Sequence, residues 1–377
     1  MIMIYLNNSA TSYPKPEPVI RAFARAMEKL PPGQYRSAAS SGDQDLLPVC
    51  KKRLGGLLGI GKYERIYFTS GSTEGLNAII AGLGIKAGEV MTTVTEHNSV
   101  LRPLYNLPGI AGEPVLLPCD RDGLVSPELF EKEAAKGRAR AVILNHCSNV
   151  TGAVQDAAAV GEIARRYGLY FILDVSQSAG CMEVKADEWG VDALAFTGHK
   201  SLMGPQGTGG FYIREGIALR PYKYGGTGYD SRRIIYDDEE YEYETGTQNG
   251  PGIAGLAAAA LWVAETGIER IALKEQRLAE RLTEGLASIR GIHIYGQGLA
   301  VRGPVVSFDS DKLPPADLAY ILQNSYDIVT RAGLHCAPLI HEYTGSGEKG
   351  TLRISFSYFN TDEDVDELLG ALREILM

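Results

Sequence analysis

Short apolar runs alternate with amphipathic stretches over the first two thirds of the chain, and that alternation predicts the fold. Runs at 65–69, 89–94, 114–117, 139–144, 169–173 and 191–196 read as buried strands, with a shorter one at 4–6. Apolar residues at helical spacing cover 18–30, 43–58, 76–82 and 155–167, and a further helix follows Thr95-Glu96-His97-Asn98. Pro31-Pro32-Gly33 ends the first helix, and Gly59 and Gly61 close the second. Strands apolar on both faces, alternating with helices, predict an α/β protein with a largely parallel sheet covered on both sides. Such sheets bind ligands at the C-terminal ends of their strands. Four polar clusters fall there, at 70–74, 96–98, 145–149 and 174–177.

Beyond a glycine-rich turn at 204–210 the texture changes. The stretch 221–250 is rich in Gly, Tyr and charge, and its acidic run at 237–244 reads as solvated loop. One long helix is expected over 252–289, then short strands and two helices that make a second, α+β unit. A length of 377 residues accommodates both. The expected division is a large domain at 16–250 and a smaller one built from 1–15 and 251–377. Apolar content of 45% with 22% charged residues is that of an ordinary globular protein. A formal charge of −9 argues against nucleic acid or an anionic membrane as partner. The five cysteines show no metal-ligand spacing and no disulfide framework. No stretch is long enough to span a bilayer, and residues 1–8 lack the character of a signal peptide, so a cytoplasmic protein is expected.

Candidate chemistry centres on Lys200, in Phe196-Thr197-Gly198-His199-Lys200, and on Asp174 at the end of the preceding strand. A lysine beside a histidine is ordinarily a solvated loop residue, so the pair gains meaning only from its surroundings. A lysine for a Schiff base and an acid that keeps a pyridine nitrogen protonated are what pyridoxal phosphate chemistry needs. Ser70-Gly71-Ser72-Thr73 lies between a strand and a helix and suits a phosphate, with Ser72 and Thr73 as side-chain donors. The plainer reading there is a helix cap by Ser70 or Ser72. Thr197 and His199 flank Lys200 as candidate further donors, and Thr247 is a candidate donor from a partner subunit. His97 is the candidate to stack on the ring, Gln177 to meet its oxygen, and Asn149 to lie at the same edge. Arg353 is the single charge in Thr351-Leu352-Arg353-Ile354-Ser355-Phe356 and suits a substrate carboxylate, with Arg331 and Asn8 in support. Cys336 falls in a loop between Arg331 and Pro338 and is the candidate nucleophile, with His335 and Arg331 as the groups expected to favour its thiolate. Cys50, Cys119, Cys147 and Cys181 lie in or beside apolar elements and read as small buried hydrophobes.

Taken together, these pieces resemble the class V, fold-type I pyridoxal phosphate enzymes of the cysteine desulfurase group, nearly end to end. The most specific are Thr197-Gly198-His199-Lys200, Asp174-Val175-Ser176-Gln177, Ser70-Gly71-Ser72-Thr73-Glu74, Thr95-Glu96-His97-Asn98, His146-Cys147-Ser148-Asn149 and Arg331-Ala332-Gly333-Leu334-His335-Cys336. The resemblance implies a large domain with a mostly parallel seven-stranded sheet, a smaller α+β domain, and a homodimer with sites at the subunit interface. It implies that Lys200 binds the cofactor and moves protons, that Asp174 holds the pyridine nitrogen, that His97 covers the ring, and that Arg353 binds the carboxylate. Cys336 then attacks the sulfur of L-cysteine, leaving alanine and a persulfide that a sulfur-acceptor protein can collect. The short segment 335–353 is similar to a subgroup that also holds selenocysteine lyases. Leu334 stands where that group often has another histidine, and Gln34-Tyr35-Arg36-Ser37 also departs from its pattern. Other readings of the same residues are a selenocysteine lyase, a C–S lyase acting by β-elimination, a class V aminotransferase, and a sulfur-relay scaffold. A nucleotide-binding protein fits poorly, because the glycines at 204–210 lack the strand–turn–helix setting of a dinucleotide site.

Overall fold

The computed structural model describes residues 3–28, 46–226, 232, 234–235 and 243–377. The Pro31-Pro32-Gly33 stop, the segment at 34–37 and the acidic run at 237–242 lie outside the described residues. Seven strands form the main sheet, in the order Ile66–Thr69, Gly209–Ile213, Ala193–Thr197, Tyr170–Asp174, Ala141–Asn145, Val90–Thr93, Val115–Leu117. Ala141–Asn145, Val90–Thr93 and Ala193–Thr197 are buried along their whole length, because helices cover both faces. All pairs are parallel except those of Gly209–Ile213, which runs antiparallel to both neighbours. The glycine-rich stretch expected as a turn therefore gives its last two residues to a strand. Local signals set the helix limits. Asp156 caps Ala157–Tyr167 by accepting from the Ala159 N–H at 2.9 Å, and Gly168, at φ 65°, ends it.

A second core surrounds a four-stranded antiparallel sheet, in the order Arg331–Gly333, Thr351–Ser355, Val305–Ser310, Ile292–Tyr295. Helices Ile268–Ala287, Pro315–Tyr326 and Asp362–Leu376 supply Leu278, Leu282, Leu322, Leu368 and Leu372 to it. The chain's beginning joins this core. Ile4–Tyr5 pairs in parallel with Ile328–Val329, Leu6 is fully buried, and Asn7 bridges to Ser355.

The expected helix over 252–289 is two helices, Gly250–Thr266 and Ile268–Ala287, bent by 80° at Gly267. Gly267 takes φ 87°, which a side chain would resist. The first of the two packs with the large sheet through Ile253, Leu256, Ala260 and Val263. Ile271, beyond the bend, still belongs to that core, and Leu278 is the first residue of the second helix in the other. Among the described residues, no single helix is long and apolar enough to cross a membrane.

Candidate active site

A cavity of about 430 Å³ opens at the C-terminal ends of the parallel strands. Its walls carry Ser72, Thr73, His97, Asn149, Asp174, Gln177, Thr197, His199, Lys200 and Arg331. Those residues come from separate stretches of sequence, and the sheet brings them together. The volume is that of a small-cofactor site.

One end is built for an anion. Helix Ser72–Gly82 begins at the wall, and its cap is Gly71, which brings no side-chain bond. The capping role expected for Ser70 or Ser72 is thus unfilled, and Ser72 is the first helical residue. Ser70 instead gives its N–H and hydroxyl to Glu74, each at 2.8 Å. Gly209 lets this loop lie on the sheet, since a Cβ there would stand 2.6 Å from Gly71 Cα. Thr73 is exposed at the rim. Thr247 is also exposed and lines a smaller adjoining cavity of about 160 Å³, shared with Ser70 and Gly207.

Asp174 is the last residue of its strand and is buried. Its Oδ1 accepts from the Ser176 N–H at 2.9 Å and from the Ser176 hydroxyl. Burial still pushes its carboxyl above the usual range. A cationic ring nitrogen is the partner such an acid lacks. Lys200 stands across from it, its ammonium held down to about 8 by burial, with Asp174 pulling the other way and Arg353 and Arg331 repelling. His97 caps helix Asn98–Asn106, with Nδ1 accepting from the Ser99 N–H at 3.0 Å. Burial first, and then Lys200, hold it neutral at about 3. Gln177 Nε2 donates to the Ser9 carbonyl at 3.2 Å. His199 Nδ1 is buried without a partner among the described residues. An open helix start, a lysine with depressed basicity, a buried acid and a neutral imidazole fit pyridoxal phosphate.

Arg353 is fully buried on Thr351–Ser355, an inner strand of the second sheet. It gives Nη1 to the Asn149 carbonyl and Nη2 to Asn7 Oδ1, each at 3.1 Å, while Nε has no partner among the described residues. Among the described residues no carboxylate pairs with it. Burial and Arg331, its opposite number across the strands, lower it to about 9. Two arginines facing each other without an acid make an anion site. Asn8, expected on the substrate side, is turned away. Its amide binds the Ser355 carbonyl at 2.9 Å and Asn360 Oδ1 at 3.1 Å, and Asn7 is the residue that meets Arg353. Adjacent identical side chains leave the chain in different directions, and no pattern in the sequence separates them.

Arg331 joins the cavity to Cys336. Its Nη2 donates to Cys336 Sγ at 3.3 Å. The cysteine sits on a bent and well-held loop. His335 and Cys336 take φ 51° and 61°, a left-handed pair that costs backbone strain. The Cys336 carbonyl accepts from the Asn98 N–H at 2.7 Å, and the His335 carbonyl from Asn149 Nδ2 at 2.6 Å. His335 does not serve the thiol as expected. Its Nε2 lies 2.9 Å from Thr351 Oγ1, and burial holds the ring neutral at about 2, so it brings no charge. Cys119, expected to be buried, is half-exposed, and Cys147 lines the cavity. All five thiols are unpaired.

The sheet, the lysine between its strands and the second core define a fold-type I cofactor enzyme. The chain belongs to the class-V aminotransferase family, whose pattern it matches over residues 4–368. It is 32% identical to a probable cysteine desulfurase of Methanothermobacter thermautotrophicus, an alignment covering 99% of this chain and 94% of that one. Among solved structures, the apo cysteine desulfurase of Thermococcus onnurineus NA1 superposes with a TM-score of 0.86 at 33% identity, over 99% of this chain and 94% of that one. The Escherichia coli cysteine desulfurase CsdA matches with the same TM-score at 27% identity, over 100% and 96%.

Proposed function

We propose that this protein is a pyridoxal phosphate-dependent cysteine desulfurase, converting L-cysteine to L-alanine with the sulfur left on Cys336. The observation that carries this reading is the 3.3 Å bond from Arg331, a cavity residue, to Cys336 Sγ. That bond supports a sulfur nucleophile at the edge of the cavity that Lys200 and Asp174 line, held by a residue of its wall. Pyridoxal phosphate, when bound, supplies an electron sink that makes the α-proton of an amino acid acidic. Ser72, Thr73 and Thr197 would hold its phosphate, Asp174 its ring nitrogen, His97 its face and Gln177 its oxygen. Arg353 takes the substrate carboxylate, and Asn149 fixes both Arg353 and the cysteine loop. Lys200 Nζ takes the α-proton and returns a proton to the same carbon. Cys336 gives up its thiol proton, an S–S bond forms to the substrate sulfur as the substrate's Cβ–S bond breaks, and the electron pair left on Cβ takes up a proton to complete the methyl group. Cys336–SH and L-cysteine thus become Cys336–S–SH and L-alanine, with no outside oxidant or reductant. In this reading the enzyme is a cytoplasmic homodimer, Thr247 serves the partner's phosphate site, and an acceptor protein collects the sulfur.

The test is to mix cofactor-loaded protein with L-cysteine and a reductant and to measure alanine, sulfide and pyruvate. Alanine and sulfide in equal amounts are expected. Cys336→Ser should keep the cofactor absorbance and lose persulfide. Pyruvate with ammonia would overturn persulfide transfer in favour of β-elimination. Turnover of selenocysteine alone would reassign the substrate.

A further inference from the structure

The segment from Asn7 to Lys15 lies along the site and puts an unusual number of donors on one peptide. The His199 carbonyl receives the Ser12 N–H at 2.9 Å, the Thr11 hydroxyl at 3.2 Å, the Ser12 hydroxyl at 3.2 Å and the Lys15 ammonium at 2.9 Å. A carbonyl oxygen has two lone pairs, and one or two donors are usual. The one Ser12 hydroxyl hydrogen is shared between the His199 carbonyl and the Lys200 carbonyl, the latter at 2.9 Å, and Lys15 Nζ donates to Ser12 Oγ at 2.8 Å. A relay thus runs from the Lys15 ammonium through Ser12 to the main chain of Lys200. Among the described residues Lys15 has no carboxylate partner, and burial lowers it to about 8. A half-buried ammonium spent on backbone oxygen is costly where an apolar side chain would fill the same space.

The same segment touches the rest of the site. Asn7 Oδ1 accepts from Arg353, the Ser9 carbonyl accepts from Gln177, and Ser9 and Ala10 line the cavity. We infer that Lys15 and Ser12 are positioning residues for Lys200, members of a strap that fixes the lysine's main chain relative to the carboxylate-binding arginine. The peptide between His199 and Lys200 sets where the lysine side chain starts, so its orientation decides which atoms Nζ reaches. This deepens the desulfurase reading and rests on it.

The experiment compares wild type with Lys15→Met, Lys15→Arg and Ser12→Ala. Three readouts are taken: the pH titration of the bound cofactor's absorbance without substrate, urea unfolding of cofactor-free protein, and kcat and KM for alanine formation. The titratable and charged groups already facing Lys200 are Asp174, Arg353, Arg331 and Cys336, and none is altered. His97 and His199 are held neutral by burial. Lys15→Met should move the titration midpoint by about half a pH unit or more and lower kcat about tenfold, with KM changed by less than about twofold. Lys15→Arg should restore most of both. Should Lys15→Met not fold, Ser12→Ala carries the same expectation. Variants that lose only urea resistance, with midpoint and kcat unmoved, would overturn the inference and leave the segment a plain staple. A shifted midpoint in a protein that makes no alanine would support the strap while sinking the desulfurase reading.

Discussion

Glu96, next to His97, is an acid the proposed chemistry does not use. Its carboxyl is fully buried, with Oε1 accepting from Thr93 Oγ1 at 2.9 Å and the Asn145 N–H at 3.0 Å, and with Oε2 unpartnered among the described residues. Burial raises it to about 8, against those hydrogen bonds and with help from Asp174. The folded protein therefore keeps a proton that the unfolded chain releases near the ordinary value of 4.5. The group's contribution to stability is complete below that value and is lost as pH rises through about 8. Glu96→Gln removes the titration. Across that window wild type should weaken relative to the variant by about 1.4 kcal/mol per pH unit, seen in urea unfolding of cofactor-free protein at pH 5, 7 and 9. A gap that stays constant with pH would show that Glu96 titrates normally. Residues of this kind explain what the sequence conceals. Arg353 was legible as a lone charge in an apolar strand, and Lys200 and Asp174 as polar ends of buried ones. The choice of Asn7 over Asn8, and the turning of His335 into Thr351, depend on local backbone direction that no pattern of residue types records.

At the scale of elements, periodicity identified the parallel strands to within a residue or two, because burial on both faces demands unbroken apolar runs. It failed at Gly209–Ile213 and at Gly267, in opposite directions. Glycine signals a turn in sequence, yet in a sheet it also marks a place where backbones approach. A Cβ at Gly209 would meet Gly71 Cα at 2.6 Å and the Phe196 carbonyl at 2.7 Å. Gly209→Ala should therefore lift the Ser70–Ser72 loop from the sheet and weaken cofactor binding by about tenfold or more, as a bad contact of 1–3 kcal/mol implies. Equilibrium dialysis with pyridoxal phosphate checks this, and unchanged affinity would show that the loop does not hold the phosphate. At Gly267 the opposite error arose. Apolar helical spacing continues on both sides, so the bend is carried by one residue's positive φ.

For the whole molecule, the acidic balance and the two cores were evident in composition and texture, but not the way the N-terminal segment ties them together. Ile4 and Leu6 belong to the second core, while Ser9 to Lys15 press on the first. The partners of residues 4–8 are Ile328, Ser355 and Asn360, close to the other end of the chain. This pairing has a consequence in the order of synthesis. Residues 4–8 are made well before their partners at 328–360, and Arg353 and Cys336 lie in that later stretch. Such long-range pairing is slow to close. A ribosome-bound or truncated chain ending near residue 290 should leave residues 3–15 open to protease, and the full chain should protect them. The Cys336 loop, held by Asn98 and Asn149, is then assembled only after the large sheet has been made, so in the proposed reading a chain that stops short of it takes up no sulfur.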